Sequence, residues 1–123
     1  MIRETAWRLE FAAAVERDLA LIFDHLIESY MSFGDNRAEA AGRAGQRLAE
    51  ILTDAQRLAL APLRGGRHDD LLPGLRQLAL GKASFWFVAD EGAGLVRVLA
   101  VFFGPQDQHR RMLIRLLGDG RGG

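Results

Sequence analysis

The side chains best able to do chemistry in this chain are the cations and imidazoles of its second half: Arg64, Arg67, Arg76, Lys82, Arg97, Arg110, Arg111 and Arg115, with His68 and His109 among them. Guanidinium groups offer paired donors to a carboxylate or a phosphate, so such a set suits a fixed acidic partner or a phosphodiester. His109-Arg110-Arg111 adds a group that titrates near neutrality to two permanent charges. That trio has the means for acid–base work with charge stabilisation, or it simply faces water at the start of a helix. His68-Asp69-Asp70 carries metal-ligating side chains, yet no second His or carboxylate cluster stands at ligand spacing, so the sequence predicts a solvated turn and neither metal nor cofactor. Arg76 either serves a partner or fixes the preceding loop by bonding its carbonyls or Asp69 and Asp70.

The totals narrow the setting. A chain of 123 residues, 49% hydrophobic, has the size of one domain with one core. Formal charge is zero, but up to Ala61 there are seven basic and ten acidic residues, and from Pro62 onward nine and six. The second half is therefore the basic one, and Lys82 is its single lysine. With no cysteine, disulfides and thiolate metal sites are excluded, which fits a cytoplasmic protein. The opening Met1-Ile2-Arg3-Glu4-Thr5-Ala6-Trp7 lacks the apolar run of a signal peptide, and charges interrupt every apolar stretch before it reaches membrane-spanning length.

These cations need a scaffold, and Pro73 to Gly104 supplies one. Aromatic and β-branched residues concentrate there, punctuated by Gly81 and by Asp90-Glu91-Gly92-Ala93-Gly94, which predicts a three-stranded antiparallel meander. Leu95 to Phe103 is apolar at both parities except for Arg97, so both faces of that strand are expected to be covered. Arg97 is then either salt-bridged or part of a binding surface. Arg8-Leu9-Glu10-Phe11 after Trp7 alternates as a short first strand that extends the meander's edge, with Trp7, Leu9 and Phe11 inward.

Between them lie two amphipathic helices. Val15, Leu19, Ile22, Phe23, Leu26, Ile27 and Tyr30 form one stripe, with Glu16, Arg17, Asp18, Asp24 and Glu28 outward, and the helix closes near Gly34. Asp35 or Asn36 caps the second, which carries Ala41, Ala44, Leu48, Ile51, Leu52, Ala55 and Leu58 and stops before Pro62. Ala38, Ala40, Ala41, Gly42, Ala44 and Gly45 leave its first half almost bare, for close helix crossing or for a partner. After Gly104, Asp107 can cap a short helix whose apolar side is Met112, Leu113, Leu116 and Leu117. The reading is one α+β domain over 1–117, a helical hairpin on a twisted antiparallel sheet of about four strands with a short C-terminal helix, and a flexible tail over 118–123.

This order, with Trp7-Arg8-Leu9-Glu10-Phe11, Glu16-Arg17-Asp18-Leu19, Ala61-Pro62-Leu63-Arg64-Gly65, Leu72-Pro73-Gly74-Leu75-Arg76, Trp86-Phe87 and Val96-Arg97-Val98-Leu99-Ala100-Val101, resembles the RelE/ParE family of bacterial type II toxins. The resemblance implies a small cytoplasmic toxin, linked in that family to plasmid stabilisation, and a cognate antitoxin whose flexible segment wraps it. RelE-like members cleave messenger RNA on the ribosome, whereas ParE-like members are linked to DNA gyrase. For a nuclease the candidates are Arg76, Lys82, His109 and Arg110. The sequence lacks the Arg that RelE-like members tend to carry after Lys82, and Pro105-Gln106-Asp107 brings no basic residue, so a ParE-like toxin acting by protein contact is the first expectation. Antitoxin or target is expected at Arg64, Arg67, Arg76, Trp86, Arg97, Arg110, Arg111 and Arg115. A binding module without toxicity is the third reading.

Overall fold

The computed structural model describes residues 7–104 and 107–122, with side chains described up to Gly118. The opening residues 1–6, the Pro105-Gln106 pair and the side chains of the tail beyond Gly118 lie outside the described residues. The order of elements is β1 (Arg8–Phe11), α1 (Ala14–Ser32), α2 (Arg37–Leu60), β2 (Gly66–Arg67), β3 (Leu75–Leu80), β4 (Ala83–Asp90), β5 (Leu95–Phe103) and α3 (Gln108–Gly122).

The meander is present as β3–β4–β5. A two-residue loop, Gly81-Lys82, joins β3 to β4, and Gly81 takes the positive φ of 66° that a tight hairpin needs at its first turn position. Asp90 holds the next turn by accepting from the Ala93 backbone N–H at 3.1 Å. The sheet has five strands in the order β1-β5-β4-β3-β2 rather than about four, because Gly66 and Arg67, read as loop, pair with Gln77 and Arg76. It is also mixed rather than wholly antiparallel, since β1 runs parallel to β5. Only neighbours joined by a tight turn are forced to be antiparallel, and between β1 and β5 the chain passes through both helices and the meander.

Both faces of the central strands are covered, as the double apolar parity of β5 predicted. Phe85, Phe87, Val96, Val98 and Val101 pack against Val15, Ile22, Leu26, Ile51 and Leu58 of the helical hairpin. On the opposite face Leu75, Trp86, Ala100 and Phe102 pack with Met112 of α3. Successive side chains of a strand point to opposite faces, so Trp86 belongs to α3 and its neighbours to the hairpin. Each large apolar side chain so buried contributes about 1.5–3 kcal/mol.

Asn36 begins α2 with a reciprocal pair: its Oδ1 accepts from Glu39 N at 2.8 Å, and Asn36 N donates to the Glu39 carboxylate at 2.9 Å. The bare stretch of α2 divides by position. Ala40 and Ala44 are fully buried in the domain core, while Gly42 and Gly45 have open space where a Cβ would stand. In β1 only part of the expectation holds, since Trp7 and Leu9 are half-buried and Phe11 is exposed. The helix α3 continues to Gly122, where the sequence suggested a frayed end after Leu117.

Asp18 corrects the amphipathic reading. Placed on the outer face by its charge, it is 3% exposed. Its Oδ2 accepts from Val101 N at 3.0 Å and from Arg115 at 3.1 Å, and Arg115 also donates to the Leu99 carbonyl at 2.8 Å. The strand β1 reaches only Val98, and a register irregularity opposite Trp86 and Phe87 follows in β5. Beyond that point the edge of β5 is closed by an ion pair instead of a strand, which satisfies backbone groups that burial would otherwise orphan.

Candidate functional site

The densest convergence of polar side chains sits where the β2–β3 loop meets the first turn of α3. His68 is fixed through its backbone: its N–H donates to Leu75 O at 2.8 Å, and its carbonyl accepts from Leu71 N at 3.0 Å. Its ring lies 4.7 Å from the ring of Trp86. Asp69 holds the loop from inside, accepting from Gly74 N at 2.7 Å and from both Nε and Nη2 of Arg67 at 2.9 and 3.0 Å. The Arg67 bond, more than the Gly74 bond, keeps the Asp69 carboxyl below its ordinary value, and the same contact raises Arg67.

The other wall is α3. Asp107 caps it by accepting from Arg110 N at 3.1 Å. Gln108 then anchors it, its Oε1 accepting from Trp86 Nε1 at 2.9 Å and from Gln77 Nε2 at 3.0 Å. The next residue, His109, is thereby set against the loop, its Nε2 2.9 Å from Asp70 Oδ2, and this bond holds the Asp70 carboxyl low. His68 and His109 face each other with ring centroids 6.1 Å apart. The sequence offers no second His near His68; the fold supplies one from 39 residues beyond Asp70.

Most of the cations expected to bind a partner already have work within the chain. Arg76 donates to Leu63 O at 2.8 Å, which is the loop-fixing alternative. Arg67 is paired with Asp69, and Arg97, exposed between the buried Val96 and Val98 of β5, lies 3.8 Å from Glu10. Arg115 is committed to Asp18, and Arg111 lies over the Phe102 ring at 4.5 Å. Trp86 needs correction as a contact residue: at 1% exposure it lies under α3 and presents no surface. Arg64, Lys82 and Arg110 are exposed.

The proposed nuclease group does not converge. Arg76 stands opposite Phe87 in the register and so points to the hairpin face, whereas Gln77 and Trp86, bound by Gln108, put His109 on the α3 face. Lys82 sits in the turn six residues beyond Arg76, about 20 Å along the strand. One phosphate cannot be reached by all of them.

A second feature lies between α1 and α3. A groove of about 440 Å³ runs past Leu21, His25, Phe102 and Arg111, and one of about 800 Å³ lies between Ala14 and Ala20 of α1 and Ile114 of α3. Leu21 borders the first groove and Ile114 the second, and both are exposed, Ile114 by 59%. Large apolar side chains left exposed beside a concavity suit a contact surface.

No protein-family model and no curated protein matches the sequence. The likeness is in the structure. The toxin–antitoxin complex RelBE2 from Mycobacterium tuberculosis contains a chain similar at a TM-score of 0.55 and 18% identity, over 82% of this chain and 94% of that one. A chain of the chromosomal ParDE toxin–antitoxin system from P. aeruginosa reaches 0.61 at 18% identity, over 81% and 98%. A mutant of the E. coli toxin RelE in its free state reaches 0.56 at 9% identity, over 90% and 97%. The fold is thus that of RelE and ParE chains. No described helix is long and apolar enough to cross a membrane.

Proposed function

We propose that this chain is the toxin of a type II toxin–antitoxin pair, that it acts by protein contact in the ParE manner with DNA gyrase as target, and that a cognate antitoxin holds it inactive in the cytoplasm. What supports the reading is the RelE/ParE-like fold combined with the separation of Arg76, Lys82 and His109 onto two faces and a distant turn. RNA cleavage needs an activating base, a proton donor and cations around one phosphorane. A contact toxin needs only surface.

The antitoxin's flexible segment occupies the groove between α1 and α3 in this reading. Leu21 and Ile114 offer it apolar area, and the exposed Arg17 flanks it for an acidic partner. Leu21→Glu is expected to weaken antitoxin capture while leaving the fold intact, as the side chain is already exposed.

One observation favours a second reading. The His109–Asp70 couple is an imidazole oriented by a carboxylate, and a ribosome-dependent messenger endonuclease could use it for proton transfer. Pulse labelling of a bacterial host within minutes of induction separates the two. Arrest of DNA synthesis before protein synthesis supports the contact toxin; the reverse order overturns it in favour of the nuclease. Normal growth on full induction points instead to a binding module without toxicity.

A further inference from the structure

We propose that His68, Asp70 and His109 form a binding site for a divalent transition-metal ion, Zn²⁺ being the natural fit, that clamps the β2–β3 loop to α3. One ligand atom from each of the three lies within 4.8 Å of the others. Asp70 Oδ2 and His109 Nε2 are already 2.9 Å apart. A tetrahedral Zn²⁺ with bonds of about 2.0–2.1 Å places its ligand atoms about 3.3 Å from one another. Closing the remaining gap takes a side-chain rotation of about 1.5 Å, well within the freedom of two exposed residues and one half-exposed residue.

The donor set selects the ion. Two imidazole nitrogens, which are borderline donors, joined by one hard carboxylate oxygen suit zinc, cobalt or nickel. Ca²⁺ and Mg²⁺ want six or more oxygens, and a single carboxylate does not provide them. Three protein ligands leave a fourth tetrahedral position open to water or to a partner's side chain.

What separates this trio from a chance cluster is that each backbone is held independently of the metal. His68 is tied to Leu75 and Leu71 and its ring rests against Trp86, which is itself buried. Asp70 follows Asp69, which Arg67 and Gly74 lock in place. His109 follows Gln108, pinned by two side-chain donors of the sheet. Ligands on pre-positioned backbone lose less freedom on binding, which is what a metal site requires. Arg67, in β2 beside the loop, is already paired with Asp69. The chain's other possible nitrogen or thiolate ligands are few: the third histidine, His25, lies against Phe103, and there is no cysteine.

The test uses the whole chain without any histidine tag, cleared of metal by chelation. Titration with Co²⁺ is expected to produce visible d–d absorption that saturates at one ion per chain and is abolished by Zn²⁺. His109→Ala and His68→Ala are expected to weaken Co²⁺ binding by about a hundredfold or more, while His25→Ala leaves it unchanged. Asp70→Asn, an isosteric change at an exposed position, is expected to weaken it about tenfold or more with the circular-dichroism spectrum unaltered, and it decides the matter should either ligand histidine variant fail to fold. Absence of the absorption overturns the proposal, as does binding that survives Asp70→Asn and His109→Ala. The readout is independent of toxicity, so its failure leaves the proposed function standing and the converse also holds.

Discussion

Replacing Asp18 by Ala isolates the ion pair that closes the edge of β5. The carboxylate is 3% exposed and the Arg115 side chain 16%, so the substitution leaves a mostly buried guanidinium without a counter-charge and the Val101 N–H without its acceptor. Breaking a buried pair from one side costs about 3–5 kcal/mol. The whole domain, at about 0.05–0.15 kcal/mol per residue, has about 6–18 kcal/mol of stability, so the variant is expected to remain folded at 25 °C but visibly weakened. With a urea slope of about 2 kcal/mol per molar, the midpoint falls by about 1.5–2.5 M. Arg115→Ala has a comparable cost, because it strands the Asp18 charge. The double variant is expected to lose less than the two single losses together, by about 1–3 kcal/mol, since the second deletion removes the group that the first left unpaired. A midpoint shift under about 0.5 M for Asp18→Ala, or losses that simply add, would refute the account.

Four smaller perturbations probe the rest of the framework. Gly65 has φ of 93°, and a Cβ there would stand 2.6 Å from the Gln77 carbonyl oxygen, so Gly65→Ala is expected to cost about 1–3 kcal/mol in thermal denaturation, and no loss would mean that the loop relaxes freely. Gln108→Ala removes the acceptor of Trp86 Nε1, at about 1–3 kcal/mol, and is expected to shift the tryptophan emission as α3 loosens. Asn36→Ala dissolves the capping box for about 0.5–2 kcal/mol, read as a lower melting temperature. Gly42→Ala, in an exposed helix interior with open space at Cβ, is expected to stabilise by about 0.5–1 kcal/mol, and a loss would show that this face of α2 is in closer contact than it looks.

How much of this was legible in the sequence depended on how far apart the cooperating residues lie. The meander announced itself through local chemistry: aromatic runs for β4, apolar residues at both parities for β5, Gly81 and Gly94 at the turns. The two helices of the hairpin followed from three- and four-residue spacing, and the caps of α2 and α3 from Asn36 and Asp107. Asp18 was misplaced because periodicity assigns a charge to the wet face unless its partner is known, and Arg115 is 97 residues away. The same distance problem hid the trio of His68, Asp70 and His109, whose parts read as an incomplete ligand set and a helix start. Two-residue β2 carries no period at all, so only pairing with β3 reveals it. Trp86 was expected at a contact surface, yet strand parity aims it at whatever covers that face, and that cover comes from α3.

The single helix α3 holds the partners of three separate regions: Met112 over Trp86 and Phe102, His109 against the β2–β3 loop, Arg115 for Asp18. It is also translated after every other described element. Until it leaves the ribosome, the helical hairpin can already settle on its own face of the sheet, but Trp86 and Phe102 stay bare to water and Asp18 lacks the Arg115 guanidinium that bonds it. A nascent chain that stalls short of Arg115 is therefore a half-covered sheet, sticky on one side and electrostatically incomplete. Completion of the fold therefore waits on α3, which arrives after all the described elements that it locks together.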